Sequence, residues 1–275
     1  MKIKVYPFEK SIREKYYKIL CIISTLLSLF ICFWEIPPEY KCICGYVFVI
    51  IASFLYLLVW FRANKLNNIS LFINNSNVDI SFGDIFEEDG IKVIAFNEYF
   101  DTNVDERIIA SNSLNGKFIN KYKNDLNEID QSILDDSFLT KRIIEKNEKR
   151  TYGKKIKFKL GTVTQYKDFL LVAFSHFDDD NRAYLSMQDL LDCLLELWNE
   201  IDRVYAGRTV ILPLLGSGIT RLKETGDITE QDLLEILLWS FKISRIKFSY
   251  PSRLKILVLP EKLDKVNLYK IKCEF

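Results

Sequence analysis

Between Ile19 and Trp34 the chain carries no charged residue, and from Cys42 to Phe61 it carries none either. Each run is close to the ~20 residues that a helix rising ~1.5 Å per residue needs to cross ~30 Å of hydrocarbon. Glu35, Pro37, Pro38, Glu39 and Lys41 separate them. The pair therefore reads as a hairpin of two transmembrane helices, about 19–36 and 42–61. A signal peptide is disfavoured, because a second apolar run follows at once and no small-residue cleavage pattern does.

The flanks orient this hairpin. Lys2, Lys4, Lys10, Arg13, Lys15 and Lys18 precede the first run, Arg62 and Lys65 follow the second, and the connecting loop offers only Lys41. Cytoplasmic flanks collect Lys and Arg, so both termini are predicted cytoplasmic. Trp34, Trp60, Tyr17 and Tyr40 stand near the run ends, where amphipathic rings favour the headgroup layer.

The organisation that follows is a basic cytoplasmic segment 1–18, the hairpin 19–62, a short polar linker 63–70 and one cytoplasmic domain 71–275. With 38 Lys+Arg against 37 Asp+Glu the net charge is +1, which argues against a nucleic-acid partner held by bulk charge. Four of the six cysteines (Cys21, Cys32, Cys42, Cys44) lie in or beside the apolar runs, and His176 is the one histidine. Neither zinc-ligand spacing nor a disulfide framework is present, so no metal cofactor is expected.

In the domain, β-branched and aromatic alternation predicts strands over Leu71–Asn74, Val78–Phe82, Ile91–Phe96, Ile156–Leu160, Asp168–Ser175, Thr209–Leu215 and Leu254–Leu259. Helical periodicity marks Ile129–Ile144, Met187–Val204 and Asp232–Ile243, with Thr229 and Asp232 placed to cap the last. Glu145–Lys155 reads as a solvated helix end and loop. Strands alternating with helices indicate an α/β domain with a mixed sheet.

Only ten glycines occur, so two in one turn are informative: Val210-Ile211-Leu212-Pro213-Leu214-Leu215-Gly216-Ser217-Gly218-Ile219-Thr220 is a buried strand opening into a Gly-x-Gly turn. Absent side chains let backbone N–H groups converge on an anion, and the Ser217 and Thr220 hydroxyls add donors. Upstream, Phe82-Gly83-Asp84-Ile85 closes one strand and Ile94-Ala95-Phe96-Asn97 the next. Ser113-Leu114-Asn115-Gly116-Lys117-Phe118-Ile119 then enters a helix.

In this order the motifs resemble a macro domain, the module that binds ADP-ribose, over roughly residues 70–262. The resemblance implies a macro-like mixed sheet flanked by helices. It implies that Asp84, beside Ile85, accepts from the adenine amine and that Asn97 sits by the distal ribose. It further implies that Asn115, Gly116, Lys117, Phe118 and Ile119 meet the diphosphate, and that Leu215, Gly216, Ser217, Gly218, Ile219, Thr220 and Arg221 wrap the phosphates and distal ribose. A carboxylate suits an exocyclic amine, and a helix N-terminus suits a diphosphate. Asp84 and Asn97 are equally at home as turn or cap residues, and the sequence leaves both roles open.

Hydrolytic macro domains generally have a glycine-rich loop after the asparagine, whereas Glu98–Ser113 is longer, polar and glycine-free. That departure argues for binding over catalysis. His176, in Ser175-His176-Phe177-Asp178-Asp179-Asp180, fits a strand end before an acidic turn better than a general base, since no serine or cysteine nucleophile is suitably placed.

As a whole, a two-helix anchor followed by a macro domain is similar to the membrane effectors of bacterial Thoeris antiphage systems. The resemblance implies a multi-pass protein of the bacterial inner membrane. Its ligand would be an ADP-ribose derivative, histidine-ADP-ribose, made by a TIR-domain enzyme. Its partners would be the lipid bilayer and further copies of itself, and its output membrane disruption with cell death or arrest. The alternative is a membrane-tethered hydrolase of ADP-ribose adducts.

Overall fold

A computed structural model describes residues 3–178, 180–218, 221–222 (backbone only) and 228–275. Its contacts divide the chain into two units, Met1–Ile69 with Val266–Phe275, and Ser70–Lys265.

In the first unit α1 spans Lys10–Phe33 and α2 spans Pro38–Asn64. Both are long and apolar enough to cross a membrane. Their helical lengths are about 36 and 40 Å at ~1.5 Å per residue. Phe30, Phe33, Ile43, Ile50 and Phe54 stay exposed, so the chain itself supplies no cover for this surface. The first helix stops at Phe33 instead of near residue 36, because Pro37 and Pro38 exclude helix before them and Pro38 opens α2 at its first turn.

Asn64, the last residue of α2, ties down the N-terminal segment. Its Oδ1 accepts from the backbone N–H groups of Lys4 (2.8 Å) and Val5 (3.1 Å), and its Nδ2 donates to the carbonyls of Val5 (3.2 Å) and Trp60 (3.0 Å). Val5, Ile12 and Ala63 form a small buried core beneath Tyr56, Trp60 and Tyr269.

Two domain boundaries differ from expectation. Ala63 and Asn64 are buried helical residues, and the first strand starts at Asn68, so only 65–67 connect helix and strand where a linker 63–70 was expected. The domain expected over 71–275 ends near Lys265, since the last ten residues belong to the first unit.

The strands are β1 (Asn68–Ile73), β2 (Ser76–Phe82), β3 (Ile91–Asn97), β4 (Ile143–Lys146), β5 (Ile156–Phe158), β6 (Val163–Tyr166), β7 (Phe169–Phe177), β8 (Ala183–Leu185), β9 (Val210–Pro213), β10 (Arg221–Leu222) and β11 (Leu254–Val258). One nine-stranded sheet runs β1-β2-β11-β9-β3-β7-β8-β10 with β6 paired to β7. The successive pairs from β2 through β11, β9 and β3 to β7 are all parallel, while β6 and β8 run antiparallel to β7. This is the mixed sheet that the alternation predicted. Asn74 and Asn75, at φ 51° and 57°, make the two-residue turn from β1 to β2.

The helices of this unit are α3 (Leu114–Lys121), α4 (Leu126–Asp135), α5 (Ser137–Thr140), α6 (Met187–Val204) and α7 (Glu230–Ile243); the chain ends in α8 (Leu268–Glu274) of the first unit. Capping boxes Ser186/Asp189 and Thr229/Asp232 start α6 and α7. The helix expected over Ile129–Ile144 is broken. The Asp136 carboxylate accepts from the Phe138 and Leu139 amides, restarting the chain as α5, and Ile143 already belongs to a strand.

The polar loop after β3 is buried at its start and again at Ile108 and Ile109. Tyr99, Phe100, Asp101, Thr102, Ile108 and Ile109 are buried. Arg150 binds Asp101 through two nitrogens (2.7 and 3.1 Å), with side chains 8% and 1% exposed. The stretch expected to be solvated around Glu145–Lys155 therefore holds a β-hairpin edge and a buried cation. Arg150→Met should strand a buried carboxylate and cost about 3–5 kcal/mol. Thermal melting of the full-length protein in detergent checks this, with exposed Arg245→Met near neutral.

Candidate functional site

The C-terminal ends of β2, β11, β9, β3 and β7 meet along one edge of the parallel sheet. There a cleft of about 490 Å³ opens, lined by Gly83–Ile85, Ala95–Asn97, residues 106–110, 112–115 and 117, Phe174, Ser175, Phe177, 181–183, 213–218, Leu257 and Leu259. Open α/β sheets bind ligands at this end because the strand-to-helix turns present free backbone groups there. The volume falls in the ~300–1,000 Å³ range of small-molecule sites.

Nine of the sequence-chosen residues line it: Asp84, Ile85, Asn97, Asn115, Lys117, Leu215, Gly216, Ser217 and Gly218. Ile219 and Thr220 lie outside the described residues, as does the side chain of Arg221, whose backbone pairs with Tyr184 of β8.

Three choices are corrected. Phe118 and Ile119 face the core: Phe118 packs edge-on to Phe96 (6.0 Å) and against Phe169 (4.9 Å), and both residues are at most 2% exposed. The helix that starts by the cleft turns them away within one turn. Gly116 is also buried, and its N–H is bonded to Ser113 Oγ (3.0 Å), the N-cap of α3. A β-carbon there would strike the Ala110 carbonyl, so this glycine serves close packing of helix against loop.

Other residues sit at the cleft in roles different from those expected. Asp84 caps a short 3₁₀ turn, accepting from the Phe86 N–H (3.0 Å), and stays exposed. Asn97 is buried and its amide is committed. Oδ1 accepts from the N–H groups of Tyr99 (3.0 Å) and Asp101 (3.3 Å), and Nδ2 donates to Asp101 Oδ2 (2.8 Å). The Ser217 hydroxyl donates to the Leu214 carbonyl (2.7 Å), so it offers a ligand an acceptor and no donor. Gly216 adopts φ 79°, the left-handed turn that releases the chain from β9, and a β-carbon at Gly218 would meet nothing within 4 Å among the described residues.

Asn115 is different. Its Oδ1 is buried and, among the described residues, has no hydrogen-bond partner. A buried acceptor left unpaired costs about 1–3 kcal/mol, which a ligand hydroxyl or N–H would recover.

The wall formed by residues 105–113 was missed in sequence. The Asp105 carboxylate accepts from the amides of Ile108 (2.7 Å) and Arg107 (3.0 Å), and these bonds hold it below the usual carboxylate range. Glu106 is likewise held low by hydrogen bonds from Ser111. Arg107, stacked 4.3 Å over Tyr152, and Arg182 join Lys117 as cations at the cleft. Asp-x-x-Ile after a strand was a usable turn signal; the positions of Arg107 and Arg182 were not legible.

His176 lies outside the cleft lining. Its Nδ1 is 2.6 Å from Glu98 Oε2, and Glu98, fully buried, also accepts from the Phe177 N–H (3.1 Å). Asp178 Oδ1 accepts from the N–H groups of Asp180 (3.0 Å) and Arg182 (2.8 Å), forming the turn expected there; Asp179 is outside the described residues.

A parallel-centred α/β sheet with a cleft at the strand ends, a Gly-x-Gly turn and a helix N-terminus is the architecture of a nucleotide-type binding module. Residues 78–259 match the family described as Thoeris protein ThsA, Macro domain. The chain is 41% identical over 278 residues to Thoeris protein ThsA of Bacillus amyloliquefaciens (strain Y2), across 98% of this chain and 93% of that protein. Solved structures with a similar course are a point mutant of the Oceanobacillus iheyensis macrodomain (12% identity, TM-score 0.47, 78% of this chain and 95% of that one) and the same macrodomain with ADP (14%, 0.40, 74% and 95%). The chain belongs to the Thoeris ThsA macro-domain family, and so to antiphage defence.

Two substitutions separate turn from ligand. Gly216→Ala should cost about 1–2 kcal/mol of stability by forcing a left-handed β-carbon residue. Gly218→Glu has room and should leave the melting temperature unchanged, yet lower ADP-ribose affinity at least tenfold by calorimetry.

Proposed function

We propose that the chain is a membrane-anchored receptor and effector. An ADP-ribose-type signal, histidine-ADP-ribose supplied by a TIR-domain enzyme, occupies the strand-end cleft, and occupancy leads to membrane disruption. The observation that carries this reading is the cleft itself, whose lining brings together the Gly216–Gly218 turn, the start of α3 and Asn115, whose buried Oδ1 has no partner among the described residues. Lys117, Arg107 and Arg182 are suited to neutralise a diphosphate. The exposed Asp84 carboxylate is suited to the adenine amine, because only its Oδ1 is engaged by Phe86.

Binding without turnover is the favoured mode. The Asn97 amide and Ser217 hydroxyl, polar groups that a reaction would draw on, are spent on holding the walls. The apolar surface of α1 and α2 supports a two-pass anchor, and the basic flanks support cytoplasmic termini in the bacterial inner membrane. Shifting a two-state population from 1:99 to 99:1 takes about 5.5 kcal/mol of differential affinity, so several copies acting together are the expected active form.

The test incubates full-length protein in detergent with histidine-ADP-ribose, then recovers the nucleotide for mass spectrometry and follows dye release from vesicles carrying the protein. Unchanged ligand with ligand-dependent release is the expected result; product formed over many turnovers would make the chain a hydrolase. Asn115→Ala should weaken binding by about 1–3 kcal/mol. It should not lower the melting temperature of the free protein, because it removes an acceptor that has no bond to lose among the described residues.

A further inference from the structure

At the end of the helical hairpin where Lys15 and Arg62 lie, α8 packs against both α1 and α2. A second cavity of about 300 Å³ lies there, wholly within the first unit and lined by Lys15, Arg62, Leu66, Tyr269, Lys272 and Cys273. Three cations from three different helices converge on it, and among the described residues none of them forms an ion pair. The nearby carboxylate of Glu14 is 3.9 Å from Lys10 instead.

The other polar groups of the cavity are neutral. Burial, then the Cys273 thiol, pushes the Tyr269 hydroxyl up to about 12, and burial pushes Cys273 up despite Lys15 and Lys18 nearby. Tyr269 is thus an uncharged phenol beside three positive charges.

The depth is telling. Lys15 precedes Ile19, where the first charge-free run begins, by one helical turn, about 6 Å. Arg62 directly follows Phe61, where the second run ends. If α1 and α2 span the bilayer, as proposed above, the three cations lie at headgroup level on the cytoplasmic side. A basic pocket at that depth, next to exposed apolar helix faces, matches a lipid phosphate carrying acyl chains, and basic cavities between helix ends recognise such headgroups.

We propose that Lys15, Arg62 and Lys272 bind the phosphate of an anionic phospholipid such as phosphatidylglycerol. The site rests on the membrane-spanning reading of the first unit and is independent of the nucleotide cleft. A lipid that bridges α1, α2 and α8 fastens the C-terminal helix to the membrane hairpin.

The experiment is native mass spectrometry of the full-length protein from detergent doped with equal phosphatidylglycerol and phosphatidylcholine, with flotation on vesicles alongside. Phosphatidylglycerol should be retained several-fold over phosphatidylcholine. The triple variant Lys15→Gln, Arg62→Gln, Lys272→Gln should reduce that retention at least about tenfold, since each cation at the surface contributes separately. Lys10→Gln, Arg13→Gln, Lys65→Gln removes the same charge outside the cavity and should retain the lipid, as should the conservative pair Lys15→Arg, Lys272→Arg. Equal losses in the two triple variants, or no preference in the wild type, would overturn the site. Displacement of the lipid by millimolar inorganic phosphate would assign the cavity to a soluble anion and overturn it as a lipid site. Wild-type protein that does not float with vesicles overturns the membrane-spanning reading and this site with it; flotation without lipid preference overturns the site alone.

Discussion

The ion pair between Arg150 and Asp101 braces the loop after β3, whose residues 106–110 line the cleft. Asp101, 1% exposed, collects the Arg150 guanidinium, the Lys154 N–H (2.6 Å) and the Asn97 amide. Arg150 in turn reaches Asn181 Oδ1 (3.0 Å), on the turn between β7 and β8, and stacks 3.9 Å over Tyr99. Between Asn97 and Asp101 the chain reverses with Phe100 at φ 51°, a left-handed conformation for a bulky residue. Such a residue stores about 1–3 kcal/mol of strain and persists only where its surroundings over-determine it. Here a buried ring, an asparagine cap and a two-nitrogen salt bridge do so together. A loop without glycine thus reaches by side-chain bonding a path that glycines would follow freely.

The next residue secures the opposite side. Alternation along β3 sends Asn97 toward the cleft and Glu98 away from it. Glu98 there accepts from His176 and from the Phe177 amide, and Lys157 lies 3.5 Å off. Burial, the largest single influence, would lower the Lys157 pKa, but Glu98, through its charge and hydrogen bond, together with Tyr99 and Glu145 makes the net shift upward. Two adjacent polar residues at one strand end therefore fix both faces of the same wall. The histidine that invites a catalytic reading is part of this bracing.

How much of this was legible follows from range in the chain. Elements governed by neighbours were readable: α6 through its helical periodicity, α7 through its periodicity and the Thr229/Asp232 cap, β9 with its Gly-x-Gly turn through the glycine spacing, the central strands through β-branched runs. Features set by distant partners were not. Nothing local to Arg150 reveals Asp101, 49 residues away, so a charged stretch read as solvated. Nothing in Ile143-Ile144 distinguishes a continuing helix from an edge strand until Asp136 is seen capping the helix before it. Phe118 and Ile119 were placed at the ligand by the macro-domain resemblance, with which a helix N-terminus suited to a diphosphate agreed. A helix turns ~100° per residue, however, and carried them into the core. Gly116 shows the same limit: the macro-domain resemblance placed it at the diphosphate, while its use is the close approach of Ala110.

The division into units changes what a deletion of the hairpin would mean. Chain enters the sheet-bearing unit from α2 through 65–67 and leaves it at Lys265, returning to the first unit as α8. The macro-like unit is therefore tethered at both ends. A conformational change that shifts either end acts on the helical unit through two covalent connections instead of one. Removing residues 1–62 would also take away the helices against which α8 packs. Tyr269 would lose Val5 and Ile12 from the small core it covers, leaving an apolar helix face in water at a cost of about 25 cal/mol per Å² exposed. A truncated protein that fails could do so through α8 alone, whatever its cleft still binds. Separating receptor from anchor thus requires removing both segments together, with the cut after Asn67 matched by one before Val266.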